Sequence, residues 1–347
     1  MVTEAMTLPD LIIVKHVQEL QSFITGTHAF SISAPLQVGS EFMLAVCRGN
    51  ERSEHVCVHL PVEQAGAVAY ILFSNHTRRV YVHALKEIMV WFRRHGVDLY
   101  AEMYLDVSLA AYLLEPPSPD LVEDWRKFLL SSLVEHYLQE PYPFVYRQVR
   151  VGEYPEALYR RLIQDAHYVW RLGPILVRQI LADETLLQPY WELEILLTSV
   201  LAAMECRGIE LDRVRIAGGL PRVAKALHVL GDQLATLYGQ PFDPRSEHEV
   251  RGFLNRTCGV RLGKGDRIDD DLVKGLARSY APAFKLRTWR RLFLTQRFLE
   301  RFIGKDRCYP RWWLTRTVVG RIVCTDPPLQ GLPRYVRQYL SPGPGKV

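Results

Sequence analysis

Five short runs with strand character crowd the first 83 residues, and helix-period segments are interleaved with them. Leu11–Val14 is a brief β-type run, Val17–Ile24 has helical spacing, and His28–Ala34 alternates as a half-buried strand does. Glu41–Cys47 and His55–Leu60 are two more strands, joined by the turn-like Arg48-Gly49-Asn50-Glu51-Arg52-Ser53. Val80–His83 is another and runs into a helix at about 85–95. Strands mixed with amphipathic helices bury a sheet under helices, which makes this part an α/β or α+β domain. Asp106 to Leu114 reads as a helix with Asp106 at its N-cap, and the Pro-rich 115–120 stops it. Further helices are expected at about 121–138 and 156–182.

The second half carries helical patterns of a different kind. Trp191 to Gly208 is a strong helix with Gly208 as its natural stop, and Leu220 to Tyr238 is another. Ser246 followed by Glu249 forms a capping-box pattern at the head of a third. From Leu286 to Phe302, Leu286, Trp289, Leu292, Phe293, Leu299 and Phe302 form an apolar stripe, while Arg287, Arg290, Arg291, Arg297 and Arg301 point elsewhere. Such a helix can lie along a phosphate backbone, or can simply be an Arg-rich solvated surface. Charge is divided along the chain. From Arg251 onward lie 21 of the 43 Lys and Arg but only 7 of the 38 Asp and Glu. An acidic front joined to a basic back suggests that the back meets a polyanion.

At 347 residues the chain is long enough for two domains. No apolar run approaches the roughly 20 residues of a membrane span. The first ten residues carry two acids and no basic cluster, unlike a secretory signal. Six cysteines form no C-x-x-C pair, which suits reduced thiols in a cytoplasm.

Three local patterns invite a chemical reading. His55, Cys57 and His59 share one strand face and are possible Zn²⁺ ligands. Val56, Val58 and Leu60 must pack inward, which leaves the histidine face partly exposed and without a fourth ligand. Asp269-Asp270-Asp271 is better read as a helix start than as a metal cluster. Gly259 to Lys264 is one residue short of a phosphate loop and lacks Ser or Thr after the Lys.

Taken together, several segments resemble the large fragment of family A DNA polymerases, the bacterial DNA polymerase I type. Glu192 to Asp212 resembles a helix ending M-E-x-x-G-I-x-x-D, and Phe242 to Leu254 resembles N-P-x-S-P-K-Q-L. The basic helix at 286–302 resembles the second long thumb helix. Arg316 to Arg334 resembles T-x-T-G-R-L-S-S-x-x-P-N-L-Q-N-I-P through Thr317, Gly320, Arg321, Asp326, Pro327, Leu329, Gln330 and Pro333. Pro328 and Gly331 stand where that pattern has Asn, and Val319 replaces a Thr. The resemblance is strong from about 190 onward and weaker before.

The resemblance implies an RNase H-like 3′–5′ exonuclease-like domain at 1–185, a mainly α-helical thumb at 186–305, and the first, incomplete strands of a palm at 306–347. An exonuclease of this kind holds two metal ions on four carboxylates. By position, Ser31 and Ser33 replace the first two, Ile88 replaces another with Glu87 one residue early, and only Asp165 matches, with Arg161 where a tyrosine is usual. A degenerate domain without proofreading is therefore expected. The polymerase acids would lie beyond residue 347, so the chain is expected to be inactive alone, as a truncated product or as a split subunit needing a polypeptide with palm and fingers. Mg²⁺ is expected only with that partner. Primer-template DNA would be held by Lys264, Arg267, Arg290 and Arg291 from the thumb and by Thr317, Arg321 and Gln330 near the growing end. Arg321 and Gln330 could instead belong to a loop that merely packs. The role implied is in DNA replication or repair, at a cytoplasmic, nucleoid-associated location. A non-enzymatic DNA-binding protein and an active 3′–5′ exonuclease are the alternatives.

Overall fold

A computed structural model describes residues 11–49, 53–100, 104–118, 124–142 and 155–342. Contacts gather the chain into two compact units, one within residues 1–207 and 309–330, the other within 208–308 and 331–347. The 185/186 boundary expected from sequence falls just after a long helix, whereas the chain passes between units at 207/208.

The first unit is built on a mixed sheet. Its strands are β1 (Ile13–Val14), β2 (Ala29–Ile32), β3 (Leu36–Val38), β4 (Glu41–Arg48), β5 (Glu54–Pro61), β6 (Arg79–Val82) and β7 (Tyr104–Asp106). They lie in the order β1-β5-β4-β2-β6-β7, with β3 also paired to β4. β4 runs antiparallel to β2, β3 and β5, while β1 with β5, β2 with β6 and β6 with β7 are parallel. Helices α1 (Val17–Ile24), α3 (Leu85–Arg94) and α4 (Val107–Leu114) follow the strands as expected, and α2 (Ala65–Phe73), between β5 and β6, is an element not expected from sequence. α5 (Leu130–Leu133), α6 (Pro155–Ala182), α7 (Glu184–Gln188) and α8 (Ile195–Arg207) complete the helices before the chain leaves the unit.

Both faces of the sheet are covered. Phe30, Ile32, Val56, Val58 and Leu60 point into the main core with α1–α4. Met43, Ala45, Cys47 and Cys57 point the other way, against Leu158, Leu162, Ile163 and Ala166 of α6. This corrects the expectation that the His55–Cys57 face is partly exposed: His55 is 4% and Cys57 0% exposed. α6 also crosses β6 closely. A Cβ on Gly173 would stand 2.3 Å from the Tyr81 ring, so only glycine permits that approach.

Asp106 fixes two helix starts at once. Its carboxylate accepts from the Ser108 N–H at 2.8 Å, capping α4, and from the Leu85 N–H at 2.7 Å, capping α3. Ala84, just before α3, holds a left-handed φ of 59° beside that second bond. The single helix expected at 121–138 is corrected. Residues 121–123 lie outside the described residues, and the rest is a 3₁₀ turn at Asp124–Phe128, an extended Leu129, α5, and a wider turn at Val134–Leu138. The Phe128 carbonyl, which a helix would use internally, instead accepts from His83 Nε2 at 2.9 Å.

The second unit opens with β8 (Ile209–Leu211), then α9 (Arg213–Tyr238), α10 (Glu247–Cys258), α11 (Asp270–Leu276), α12 (Ala281–Phe302) and β9 (Arg307–Cys308). α9 begins about two turns ahead of the expected Leu220 because Asp212 caps it, accepting from the Arg215 N–H at 2.9 Å. Ser246 and Asp269 cap α10 and α11 in the same way, so Asp269 is a cap rather than a ligand. α12 packs along α9 and buries Leu286, Trp289, Leu299 and Phe302 of the expected stripe. The chain then returns to the first unit as the hairpin of β10 (Arg311–Trp313) and β11 (Val323–Thr325). Finally α13 (Arg334–Arg337) and β12 (Leu340–Ser341) rejoin the second unit, where β12, β8 and β9 form a three-stranded sheet.

Candidate functional site

A cleft of about 750 Å³ opens in the first unit between the end of β2, the start of α3 and the middle of α6. Ser33, His83, Ala84, Glu87, Tyr142, Arg161 and Asp165 are among its lining residues. The fold thus brings Ser33, Glu87 and Asp165 to one cavity. It does not bring the other two positions there as polar groups. Ser31 is fully buried and donates to the Ala166 carbonyl of α6 at 2.6 Å, and Ile88 lies wholly in the apolar core. Ser33 Oγ accepts from the Ala45 N–H at 2.9 Å and donates to the Ala34 carbonyl at 3.3 Å. Both hydroxyls are therefore absorbed by backbone.

The two carboxylates of the cleft are also engaged. Asp165 accepts from the Tyr142 hydroxyl and pairs with Arg161 at 3.3 Å. Burial pushes its carboxyl above the usual carboxylate range, against the opposing pull of Arg161 and Tyr142. Glu87 lies 3.1 Å from the Lys86 ammonium and 3.4 Å from Arg311. Two divalent ions need a cluster of uncommitted oxygen donors, and this cavity supplies one tied acid and one paired acid among the described residues. The residues do not fit a two-ion site. Tyr142 was not visible as a partner from sequence, because 23 residues of irregular spacing separate it from Asp165.

A second, smaller cavity of about 220 Å³ lies between α3, α4 and β10 and is lined by Lys86, Glu87, Trp125 and Trp313 among others. Arg316, the first residue of the motif-like stretch, stands beside it between two indoles, 4.2 Å from the Trp125 ring centre and 4.0 Å from that of Trp313. The Tyr112 hydroxyl donates to the Thr317 carbonyl at 2.8 Å. These contacts fasten the stretch to the first unit, an attachment that sequence spacing could not reveal.

The seven expected DNA contacts divide between the units. In the second, Lys264 and Arg267 are exposed on the loop after α10, which is braced by Arg251 to the Asp266 carbonyl at 2.9 Å and by Asn255 to Leu262 at 2.8 Å. On α12, Arg291 is exposed and its guanidinium lies 4.3 Å from the Tyr335 ring centre. Arg290 is half-buried, and burial lowers its basicity, with Asp270 and Glu247 partly restoring it. In the first unit, Arg321 is exposed, while Thr317 Oγ1 donates to the Arg321 carbonyl at 2.9 Å. Gln330 is committed locally: its amide donates to the Ile322 carbonyl at 2.7 Å and accepts from the Cys324 N–H at 2.9 Å. As placed, Gln330 braces the hairpin.

The His55–Cys57–His59 row does not converge. His59 turns to the Tyr159 hydroxyl at 2.6 Å and to Glu41 at 2.9 Å. His55 instead meets His167 of α6, Nε2 to Nδ1 at 3.0 Å, beside Cys47 on the neighbouring strand. Burial lowers both imidazoles to about 4, with the mutual field acting on His55 and Arg171 acting on His167, and burial raises the Cys47 thiol to about 12. All six cysteines are free thiols. No helix among the described residues is long and apolar enough to cross a membrane.

No protein-family model matches the chain. It is 25% identical to a thermostable DNA polymerase I of Thermus thermophilus over 72% of its own length and 28% of that protein's. It is 23% identical to the DNA polymerase I of Bacillus subtilis over 78% of its length and 32% of that protein's. The chain thus spans about a third or less of these relatives. In fold it is similar to the POL domain of Pol1 from M. smegmatis, solved in complex with DNA primer-template and dNTP. That likeness has a TM-score of 0.73 and 18% identity, and covers 96% of this chain and 59% of the other.

Proposed function

From its kinship with the family A DNA polymerases of the bacterial DNA polymerase I type, we propose that this chain binds primer-template DNA and lacks proofreading chemistry of its own. The observation that carries the second half is the fate of the expected carboxylate positions. Ser31 and Ser33 bond to backbone, Ile88 is core, and Asp165 is held by Tyr142 and Arg161. The mixed sheet in which β4 alone runs against the rest, with α6 laid across it, supports reading the first 185 residues as a degenerate RNase H-like exonuclease domain. The α9–α12 pair with its basic loop supports reading the second unit as the DNA-gripping thumb.

In this reading Lys264, Arg267 and Arg291 contact phosphates and Arg321 reaches the minor groove, where the acceptors common to all base pairs allow binding without sequence preference. Among the described residues no cluster of uncommitted acids of the kind a polymerase metal pair needs is present, and in this reading nucleotide addition relies on palm and fingers motifs, with their Mg²⁺, supplied apart from the residues described. A separate polypeptide is one source, in replication or repair. Fluorescence anisotropy with labelled primer-template, run at several salt concentrations beside a digestion assay on single-stranded DNA with Mg²⁺ or Mn²⁺, tests the proposal. Sequence-independent, salt-sensitive binding without digestion is expected. Metal-dependent release of 3′ nucleotides, or no DNA binding at low salt, would overturn it.

A further inference from the structure

Behind the cleft, on the sheet face covered by α6, three ligand-type side chains from distant parts of the sequence meet. β2, β4 and β5 lie side by side, and their register sets Ser31 opposite Cys47 and Cys47 opposite His55, a single row across the sheet. α6 lies over this row. Its Ala166 carbonyl takes the Ser31 hydroxyl, and the next residue, His167, turns its ring onto His55. Cys47 Sγ and one ring nitrogen from each of His55 and His167 lie within 4.8 Å of one another.

We propose that Cys47, His55 and His167 form a binding site for one borderline-soft divalent cation of the Zn²⁺ type, joining α6 to the β4–β5 hairpin. One thiolate and two imidazoles are a donor set that Zn²⁺ takes readily. Around a tetrahedral zinc, Zn–N of about 2.0–2.1 Å and Zn–S of about 2.3 Å put neighbouring ligand atoms roughly 3.3–3.6 Å apart. The atoms here reach that spacing by small side-chain rotations on a rigid two-strand and helix frame. The second observation is an orphan. His55 is 4% exposed, and its Nδ1 is buried with no hydrogen-bond partner. When its Nε2 faces His167, the other nitrogen is left unsatisfied whichever tautomer is present, and buried polar atoms of this kind call for an explanation. A cation shared with Cys47 and His167 would replace the direct contact of the two rings, and the His55 nitrogen left over would be the outer N–H that a metal-bound imidazole carries. His167 is only half-buried, which gives an ion access and leaves a fourth position for water or for Ser53 Oγ, now 3.2 Å from His167 Nδ1. Binding would release the Cys47 proton to solvent, as zinc–thiolate formation requires. The site is separate from the cleft and from the DNA-binding reading, and neither depends on it.

The test uses the full chain stripped with chelator and titrated with Zn²⁺ against a chromophoric competitor, then with Co²⁺ as a spectroscopic stand-in. One equivalent per chain is expected. The cobalt form should show a thiolate-to-metal charge-transfer band and the intense visible bands of tetrahedral coordination. C47S should lose the charge-transfer band, and C57A, on the same face, should keep it. H167Q, at a half-buried position that tolerates change, should weaken Zn²⁺ binding by about 100-fold, at or beyond what loss of an outer-shell partner does. Should C47S not fold, H167Q and H55Q carry the test. Stoichiometric binding that is unchanged in H167Q, or no binding above the competitor background, overturns the proposal.

Discussion

Replacing Lys86 with Met tests whether the first unit is held together by a buried ion pair. Lys86 on α3 is 6% exposed and Glu205 on α8 is 5% exposed, and the ammonium bonds to Glu205 Oε1. The same oxygen accepts the Trp312 N–H at 2.7 Å, so α3, α8 and β10 converge on one carboxylate. Glu87 is 3.1 Å from the ammonium but also has Arg311 at 3.4 Å, so it keeps a cation when Lys86 is lost. Glu205 keeps only a neutral N–H. Stranding one member of a buried pair costs about 3–5 kcal/mol. For a unit of this size each kcal/mol moves the melting midpoint by about 2–4 °C, so K86M should melt about 6–20 °C lower. E205Q retains an acceptor for the Trp312 N–H and loses only the charge-assisted bond, for about 1.5–3 kcal/mol. The double variant K86M/E205Q removes both charges and should lose clearly less than the sum, with a coupling of about 2 kcal/mol. Urea unfolding of the four chains, followed by tryptophan emission and circular dichroism, measures all three terms. A K86M loss under about 1 kcal/mol together with strict additivity would refute the reasoning.

D106A strips the common acceptor from the Leu85 and Ser108 N–H groups and should cost about 3 kcal/mol in urea unfolding, more than one ordinary cap. The Arg171 guanidinium, bonded to Glu140 at 2.6 and 2.7 Å, holds that carboxyl below its usual 4.5. Its contribution is therefore present above about pH 4.5 and lost as pH falls through the lowered value, and E140Q should remove it; because the pair is part exposed, less than about 1 kcal/mol is expected between pH 3 and 7. R291A should weaken primer-template binding evenly across sequences and reduce the slope of log affinity against log salt by about 1, read by anisotropy. S31D would set a carboxylate against the Ala166 carbonyl in a fully buried place, and thermal melting should show a loss of about 3 kcal/mol with no nuclease activity gained.

The strands of the first unit were legible because alternation reports one buried face directly. What alternation could not report was the second covering layer. α6 arrives about ninety residues or more after β4 and β5, so the sequence left the His55 and Cys57 face uncovered. Helix starts were legible at Asp106, Ser246 and Asp269, whose capping side chains adjoin their own helices, but not at Asp212, which caps α9 seven residues ahead of the expected start. The start of α3 was legible from its periodicity, but its cap was not, because Asp106 supplies it from 21 residues away. The break at Leu129 was hidden for a similar reason. The residues on either side, Trp125 to Leu138, have helical periodicity, but a distant histidine takes the Phe128 carbonyl. In the candidate cleft, the resemblance singled out Ser31, Ser33, Ile88 and Asp165 by position, and the engagement of Asp165 by Tyr142 and Arg161 was visible only in three dimensions.

On the proposed exonuclease-like reading, that engagement accounts for a fold of this kind persisting without a cluster of acids. Four carboxylates facing one another repel unless cations lie between them, so on that reading a chain without the ions gains by removing the charges. Here each position is resolved by a different physical route. Ser31 and Ser33 donate to the Ala166 and Ala34 carbonyls, which a carboxylate could only oppose. Ile88 adds apolar area to the core. Asp165 is engaged by the Arg161 guanidinium and the Tyr142 phenol. Arg161 is the informative member of this set. Its guanidinium pairs with Asp165 at 3.3 Å, so on the proposed reading an acid restored elsewhere in the cleft would meet an Asp165 already engaged. On that reading the change is spread over positions that each have partners of their own, and no single substitution is expected to bring metal-dependent digestion.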